Sequence, residues 1–343
     1  MQPESTLDQL RQTSLIDRLP EAWRVPLLTL MASIFALVVL AAREWGEMIH
    51  QWWNIDTYNH ILLIPFIIGW LVAMKLDALA KLTPKPWLPG VGLVAAGLGL
   101  WLIGRITDIN LIAHAGAVGA VQGAVVAILG LRVSYFLALP LCFAALLVPF
   151  GDEIVPPLQM ITADIAVALT HWSGIPAEID GIYINTPVGL FIVAEACSGV
   201  KFLIAMVTLA VLVCFTRFDS WTRRAIFMMA AIVIPIIANG IRAWGTIFIA
   251  QSQGVEFAAG FDHIFYGWIF FAIVVALVLA GAWRFFEREP DEYGWAVEQV
   301  DTLPLALSTA KSNASPVAIL AAIIALAIAT GITAAIVAPA AIG

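Results

Sequence analysis

Uninterrupted apolar runs of about 18 residues or more recur along this chain, and each is long enough to cross the hydrocarbon core of a bilayer as an α-helix. Charged residues make up 12% of the chain, against roughly 25% in soluble domains. We therefore predict an all-α integral membrane protein with about nine transmembrane helices. The predicted spans lie near residues 24–42, 61–79, 88–105, 111–131, 132–149, 197–216, 225–250, 263–283 and 316–338.

The distribution of Lys and Arg predicts how these helices are oriented. Basic residues occur in alternate connections, and the intervening connections are acidic or neutral apart from Arg43 and Arg105. Because short loops rich in Lys and Arg stay in the cytoplasm, we expect the N-terminus to lie inside. The basic connections contain Lys75, Lys81, Lys85, Arg132, Arg217, Arg223, Arg224, Arg284 and Arg288.

This alternation requires that one apolar segment does not cross the membrane. The segment from Pro156 to Gly174 carries Gln159, Asp164 and His171 among apolar residues. Such a mixture is typical of an amphipathic helix that lies in the bilayer interface. We therefore predict one interfacial helix on the outer face.

Composition divides the chain into four regions. Residues 286–315 are polar and rich in carboxylates, which is typical of a connecting segment. The predicted regions are a cytoplasmic N-terminal segment (1–22), a transmembrane core (23–285), a cytoplasmic linker (286–315) and an extra C-terminal transmembrane helix (316–343).

Three reactive residues, Cys197, Arg242 and His263, lie at the edges of different apolar segments. A helix rises about 1.5 Å per residue, so each lies roughly 30 Å from the basic residues at the far end of its segment. The hydrocarbon core is itself about 30 Å thick, which places all three at the outer face. Ionisable groups near hydrocarbon are costly to retain, so we interpret the three as a functional site.

A thiol, a guanidinium and an imidazole together suit nucleophilic acyl transfer. The thiolate is the reactive form of cysteine, and a nearby cation stabilises it. Arg242 stays charged and can also stabilise an oxyanion, and His263 can donate a proton to a leaving amine. Asn239 precedes Arg242 by three residues, so both face one side of a helix.

Each of these residues also has a structural interpretation. Cys197 could be a small packing residue, and Arg242 could reach toward the outer headgroups. His263 could be an interfacial residue beside Asp262. Ser198 lacks the Gly-x-Ser-x-Gly surroundings of a serine nucleophile. Too few ligands converge for a zinc site, which takes about four, so we predict no metal and no cofactor.

Two other classes of function fit the same residues. A transporter or channel for a lipid-linked saccharide would use Arg242 and His263 to bind a phosphate, and Cys197 would be incidental. A non-catalytic scaffold would hold a substrate helix in the membrane without reacting with it. Substitution of Cys197 separates both classes from an enzyme, because only the enzyme needs the thiol.

The motifs around the three residues resemble a known family. Ala-Cys197-Ser-Gly is followed by Asn239-x-x-Arg242, and then by His263 with Gly267 four residues later. This three-part pattern is similar to that of the exosortase/archaeosortase family. The resemblance covers roughly residues 24 to 285.

Upstream segments support the same resemblance. Tyr58-Asn-His60 resembles the early Tyr-Ser-His-Gly segment of the family, but Asn59 and Ile61 depart from it and leave the role of His60 open. The stretch before the cysteine is similar to the family pattern at Gln159, Ala163, Gly174, Gly181, Pro187 and Gly189.

The resemblance implies an integral membrane cysteine transpeptidase with sortase-like chemistry on a different fold. It implies Cys197 as the nucleophile with Arg242 and His263 as partners, and it leaves supporting or substrate-binding roles to Asn239, Ser198, His60, Tyr58 and Asp262. Its implied substrates are exported proteins with a C-terminal Pro-Glu-Pro-type motif, a transmembrane helix and a basic tail. The implied setting is the bacterial inner membrane, with the site on the outer face and a link to exopolysaccharide and surface sorting. Membrane lipid is the other expected partner, and no nucleic acid is expected.

Overall fold

The computed structural model describes residues 20–255, 267–304 and 314–337. Helices dominate these ranges, which confirms the all-α membrane class. Numbered along the chain, the helices are α1 Glu21–Leu40, α2 Ala42–Asn54, α3 Ile64–Met74, α4 Leu76–Leu79, α5 Gly90–Thr107, α6 Asn110–Phe136, α7 Ala138–Phe143, α8 Val155–Trp172, α9 Val200–Arg217, α10 Trp221–Gln253, α11 Gly267–Trp283, α12 Val297–Val300 and α13 Pro316–Val337. Short 3-10 helices occupy Asn59–Leu63, Ala144–Leu147, Asp152–Ile154, Glu195–Cys197 and Pro290–Glu292.

The chain forms two compact units, and each is described by itself. Unit 1 contains Met1–Asn54, Ile61–Pro149 and Gly294–Gly343. Unit 2 contains Ile55–His60 and Phe150–Tyr293. Unit 2 therefore includes the segment with Tyr58 and His60 together with Cys197 and Arg242.

Close packing of α5 against α6 forms the core of unit 1. A Cβ atom on Gly97 would lie 2.4 Å from the Ala120 nitrogen, and one on Gly104 would lie 2.3 Å from the Ala113 nitrogen. Only glycine allows the two backbones to approach this closely. In a bilayer such small-residue contacts hold helices together by van der Waals packing.

The predicted span at 132–149 is not one continuous helix. The backbone of α6 leaves the helical region at Gly130, where φ is 79°, and α6 ends at Phe136. The apolar helix that follows, Ala138–Leu147, has ten residues and rises about 15 Å, half of the hydrocarbon thickness. Hydropathy predicted this span because it counts apolar residues and ignores backbone breaks.

The number of spans in the described ranges is smaller than predicted. Seven helices are long and apolar enough to cross a membrane, and an eighth is possible if the bent pair Ala42–Asn54 and Asn59–Met74, which turns by 107°, is one span. The predicted count of about nine is therefore not confirmed. The segment Asp152–Trp172, predicted as interfacial, also meets the length and hydropathy criteria for a span.

The two arginines that depart from the loop-charge pattern are both paired with glutamates. Arg105 Nη1 lies 2.9 Å from Glu44 Oε1, and their side chains are 8% and 3% exposed. Arg43 Nε lies 2.8 Å from Glu47 Oε1. Both exceptions are single arginines, and two single residues do not outweigh the larger number of basic residues in the other connections.

Unit 2 contains a small sheet that the all-α prediction missed. Three antiparallel strands, β1 Glu178–Asp180, β2 Tyr183–Thr186 and β3 Gly189–Ile192, pair in the order β1-β2-β3. The inner face packs through Ile184, which is 1% exposed, together with Ala163 and Ala166 of α8 and Ile247 of α10. The strands have three or four residues each, too few for their alternating pattern to be distinct in the sequence.

Part of the predicted linker at 286–315 is packed. Tyr293 is fully buried, and Val300 of α12 lies in the hydrophobic core of unit 1. Asp301 forms an ion pair with Arg132. This mostly polar segment therefore also contains apolar residues that pack in the protein interior.

Two contacts bear on whether α8 crosses the membrane. Tyr58 Oη donates a hydrogen bond to Asp152 Oδ1 at 2.7 Å, and Lys201 Nζ lies 3.9 Å from Asp56 Oδ2. The starts of α8 and α9 thus lie near the same short segment. A crossing helix would separate its ends by the bilayer, so this arrangement favours an interfacial α8.

We expect the turn before α8 and the sheet to face outward, and the turn before α10 to face the cytoplasm. Single cysteines replacing Glu153, Glu178 and Thr222, in a chain whose native cysteines are alanine, test this with a membrane-impermeant thiol reagent. In intact cells the reagent should label the cysteines at 153 and 178, and it should reach the one at 222 only after permeabilisation. Protection of Glu153→Cys alongside labelling of Glu178→Cys would show that α8 crosses.

Candidate active site

Cys197 lies in a tight connection between a strand and a helix. After β3 the chain forms the 3-10 helix Glu195–Cys197 and enters α9 at Val200. Gly199 makes this turn with φ of 81°, a left-handed conformation that favours glycine. Cys197 is partly exposed, and the positive end of a helix dipole favours negative charge beside it.

Asn239 of α10 holds the backbone of the cysteine. Its Nδ2 donates to the Cys197 carbonyl at 2.8 Å and to Thr162 Oγ1 at 3.0 Å. Asn239 is 4% exposed, so the amide lies in apolar surroundings where a lost hydrogen bond is costly. A Cβ on Gly199 would lie 2.7 Å from Asn239 Cγ, which shows how tightly this turn packs on the amide.

Two residues of α8 hold the same segment from the other side. Gln159 Nε2 donates to the Val193 carbonyl at 2.7 Å. One turn later, Thr162 Oγ1 points to the Ser198 carbonyl at 3.5 Å. We call Gln159, Thr162 and Asn239 the backbone clamp, because all three side chains contact residues 193–198.

Sequence reasoning identified these clamp residues only in part. The family pattern included Gln159, and the spacing to Arg242 singled out Asn239. Thr162 was missed. The only signal for it was a second hydroxyl or amide residue one turn after Gln159 in an apolar helix.

Ser198 is a structural residue in this turn. It is 2% exposed, and its Oγ accepts a hydrogen bond from the Val200 N–H at 3.3 Å. This contact satisfies one of the free amides at the start of α9. Ser198 therefore supports the cysteine loop and does not compete with Cys197 as a nucleophile.

Arg242 lies one turn beyond Asn239 on α10 and is a cation without a carboxylate partner among the described residues. Its guanidinium carbon lies 5.9 Å from the Phe202 ring centroid, and its buried Nε makes no hydrogen bond to the described part of the chain. It borders a small cleft among α9, α10 and α11 that Asn239, Phe202 and Phe271 also line. No described carboxylate therefore competes with an anionic ligand for this guanidinium.

His263 and Asp262 lie outside the described residues, so their predicted roles stay predictions. The first described residue after them, Gly267, begins α11 beside Arg242. A Cβ on Gly267 would lie 3.2 Å from Arg242 Nη1. The glycine four residues after His263 therefore leaves room for the guanidinium.

Tyr58 and His60 lie in the same unit as the cysteine but bond elsewhere in the described structure. Tyr58 is 2% exposed and donates a hydrogen bond to Asp152. Burial, and secondly the hydrogen bond to this carboxylate, raise the pKa of its hydroxyl. It therefore stays a neutral donor near pH 7. His60 Nδ1 lies 3.1 Å from the Thr57 carbonyl in its own turn. These contacts fit structural support for the start of α8.

Lys201 is a second cation near the cysteine that the sequence interpretation did not use. It lies four residues after Cys197 in the first turn of α9, and its Nζ is 5.3 Å from the Phe202 ring centroid. The only sign of this cation in the sequence was the lysine four residues after Cys197, at the end of Ala-Cys-Ser-Gly-Val-Lys. No three His, Cys, Asp or Glu side chains gather as a metal site within the described ranges.

Comparison with known proteins adds one finding to this geometry. A family model described as transmembrane exosortase (Exosortase_EpsH) matches residues 52–280, a stretch that contains Tyr58, Cys197, Arg242 and His263. No curated protein and no solved structure matches the chain. Because the matched residues make up well over half of the sequence, this chain belongs to the transmembrane exosortase family.

Proposed function

We propose that this protein is a membrane cysteine transpeptidase that cleaves the C-terminal sorting signal of exported proteins through a thioester. The observation that carries the proposal is the hydrogen bond from Asn239 to the Cys197 carbonyl. It holds the backbone of a partly exposed cysteine against α10, which one turn later presents an arginine without a carboxylate partner among the described residues. Holding reacting groups in place in this way is a large source of rate enhancement.

In the first step the Cys197 thiolate attacks the carbonyl carbon of the scissile peptide bond. A sulfur–carbon bond forms, and the carbonyl oxygen becomes an oxyanion. The carbon–nitrogen bond then breaks as the leaving amine takes a proton from His263. The products of this step are a thioester on Cys197 and the released C-terminal part of the signal.

Arg242 is suited to stabilise the charge that develops during this step. It stays protonated, and its planar group presents several donors. The aromatic rings of Phe202 and Phe271 line the same cleft, and such apolar surroundings strengthen an electrostatic contact.

In the second step an acceptor attacks the thioester carbon. An amine, a hydroxyl or water forms the new bond, the carbon–sulfur bond breaks, and the thiolate is restored. The acceptor's proton passes to the imidazole that gave up its own in the first step. Transfer to an amine or hydroxyl is transpeptidation or esterification, and transfer to water is hydrolysis.

The proposed setting is the outer face of a bacterial inner membrane. The substrate would carry a Pro-Glu-Pro-type motif, a transmembrane helix and a basic tail, and the sorting would serve exopolysaccharide-linked surface display. Loop charges support this orientation, because the basic clusters lie at the ends of α9 and α10 that are distant from Cys197 and Arg242.

Replacement of the three reactive residues should abolish processing. Cys197→Ala removes the nucleophile, and Arg242→Ala should lower the rate by about 10²–10³ because an oxyanion contact is lost. Arg242→Lys should also fail, since an ammonium lacks the planar donors. His263→Ala should cost about 10²–10⁴ through the loss of general acid catalysis. In-cell processing of a tagged sorting-signal substrate measures each effect.

Matched variants control for loss of the protein itself. Cys214→Ala changes a buried cysteine of α9, and Arg284→Lys changes an exposed arginine after α11, so both should process substrate normally. Full processing by Cys197→Ala would end the transpeptidase proposal. If His263→Ala still processes substrate while Cys197→Ala and Arg242→Ala do not, the histidine is not a reacting group and the site consists of the cysteine and the arginine.

Asn239→Ala should impair both stability and catalysis. It leaves the partly buried Cys197 carbonyl without its donor, which costs about 1–3 kcal/mol of unfolding free energy. It also frees the cysteine loop, so we expect processing to fall by about tenfold or more. Asn54→Ala is the control, because Asn54 is exposed at the end of α2 and bonds only within its own helix. Wild-type melting temperature and processing in Asn239→Ala would contradict the clamp.

A further inference from the structure

Strand β3 is an edge of the small sheet that leads directly to the cysteine. Among the described residues it pairs only with β2, and the chain from Ile192 reaches Cys197 in five residues. Both ends of this connection are held, at Val193 by Gln159 and at Cys197 by Asn239. The edge is therefore fixed relative to the thiol.

The register of the sheet shows which backbone groups of β3 face outward. Val193 N–H donates to the Ile182 carbonyl at 3.0 Å, in line with the pairing of Ile184 with Phe191. In an antiparallel pair, hydrogen-bonded residues alternate with residues whose amides point away. Leu190 and Ile192 are the outward-pointing residues. The Ile192 carbonyl accepts a hydrogen bond from the Ala194 N–H at 3.0 Å, which leaves both backbone groups of Leu190 and the Ile192 N–H without a partner among the described residues.

Side chains beside this edge are apolar and exposed. Leu190 and Ile192 are 57% and 52% exposed, and Tyr183, paired with Ile192, is 46% exposed. All three lie on the face opposite Ile184, which is buried against α8 and α10. An edge with unpaired amides and an apolar flank is suited to accept another strand.

We propose that the β3 edge binds the extended segment of the substrate by strand addition and so delivers the scissile bond to Cys197. This inference rests on the proposed function. The occupant is an extended acyl-donor peptide, because the edge continues into the nucleophile's own loop. Backbone pairing supplies the binding, and the exposed side chains of Leu190 and Ile192 contact alternate side chains of the peptide.

A Pro-x-Pro sequence fits this edge in one register. Successive N–H groups of an extended peptide point to opposite sides, and proline has none. When the central residue donates its N–H to β3, the nitrogens of both prolines face away from the sheet, where no donor is needed. A shift by one residue would present both prolines to β3 and lose two hydrogen bonds, so the edge itself selects the register.

Disulfide trapping in membranes tests the binding directly. The full chain carries Leu190→Cys with Cys142, Cys197 and Cys214 changed to alanine, and an exported test substrate carries single cysteines scanned through its sorting signal. Cross-links should form at alternating substrate positions, since side chains alternate between faces. Two controls lie on the other sheet edge, and neither should cross-link. Ile179→Cys replaces the residue paired with Ile184, whose amide also points away, and Glu178→Cys has its side chain on the same face as Leu190, because Asn185 pairs with both.

Two results would overturn the proposal. One is cross-linking that is absent, shows no alternation or is equal for Ile179→Cys. The other is a Leu190→Cys disulfide between two copies of this chain in preference to the substrate, which would assign the edge to self-association.

A processing assay separates this proposal from the proposed function. Leu190→Pro removes an outward N–H but none of the bonds to β2, so processing should fall by about tenfold, and Ile179→Pro should leave it unchanged. Processing by Cys197→Ala would sink the proposed function. An inactive Cys197→Ala together with a fully active Leu190→Pro would sink only the strand addition.

Discussion

The amide of Asn239 bonded to the Cys197 carbonyl is the contact on which the site depends. A loop with free backbone groups is unstable in an apolar environment, because each unsatisfied carbonyl costs several kcal/mol there. The loop around Cys197 persists because side chains of α8 and α10 supply the missing donors. The same contacts hold the backbone of Cys197 against α10, one turn before Arg242.

This constraint explains why unit 2 differs from a plain bundle. A reactive cysteine in the middle of a helix would be packed among its neighbours, whereas one in a turn between a strand and a helix is partly exposed. The sheet supplies that turn, and its inner residue Ile184 anchors it on α8 and α10. Polar residues in apolar helices, such as Gln159 and Thr162, are then structural requirements of the loop that carries Cys197.

The sequence predicted what depends on composition and spacing. Apolar runs located most helices, and the unusual polar residues at segment edges identified Cys197 and Arg242. The sequence-based prediction was wrong where the backbone conformation determines whether a helix continues. A glycine with positive φ at position 130 breaks an apolar stretch that hydropathy treats as continuous. The role of Thr162 depends on which helix faces it, and a threonine in an apolar helix is otherwise ordinary.

The most direct test of the account is to find the covalent intermediate. Purified enzyme mixed with sorting-signal substrate is quenched in acid, digested and mapped by mass spectrometry, with and without neutral hydroxylamine. The account predicts that the peptide containing Cys197 carries the mass of the substrate's N-terminal fragment, and that hydroxylamine removes it, as expected for a thioester. Turnover of substrate with the adduct on another residue, or with Cys197 never modified, would contradict it.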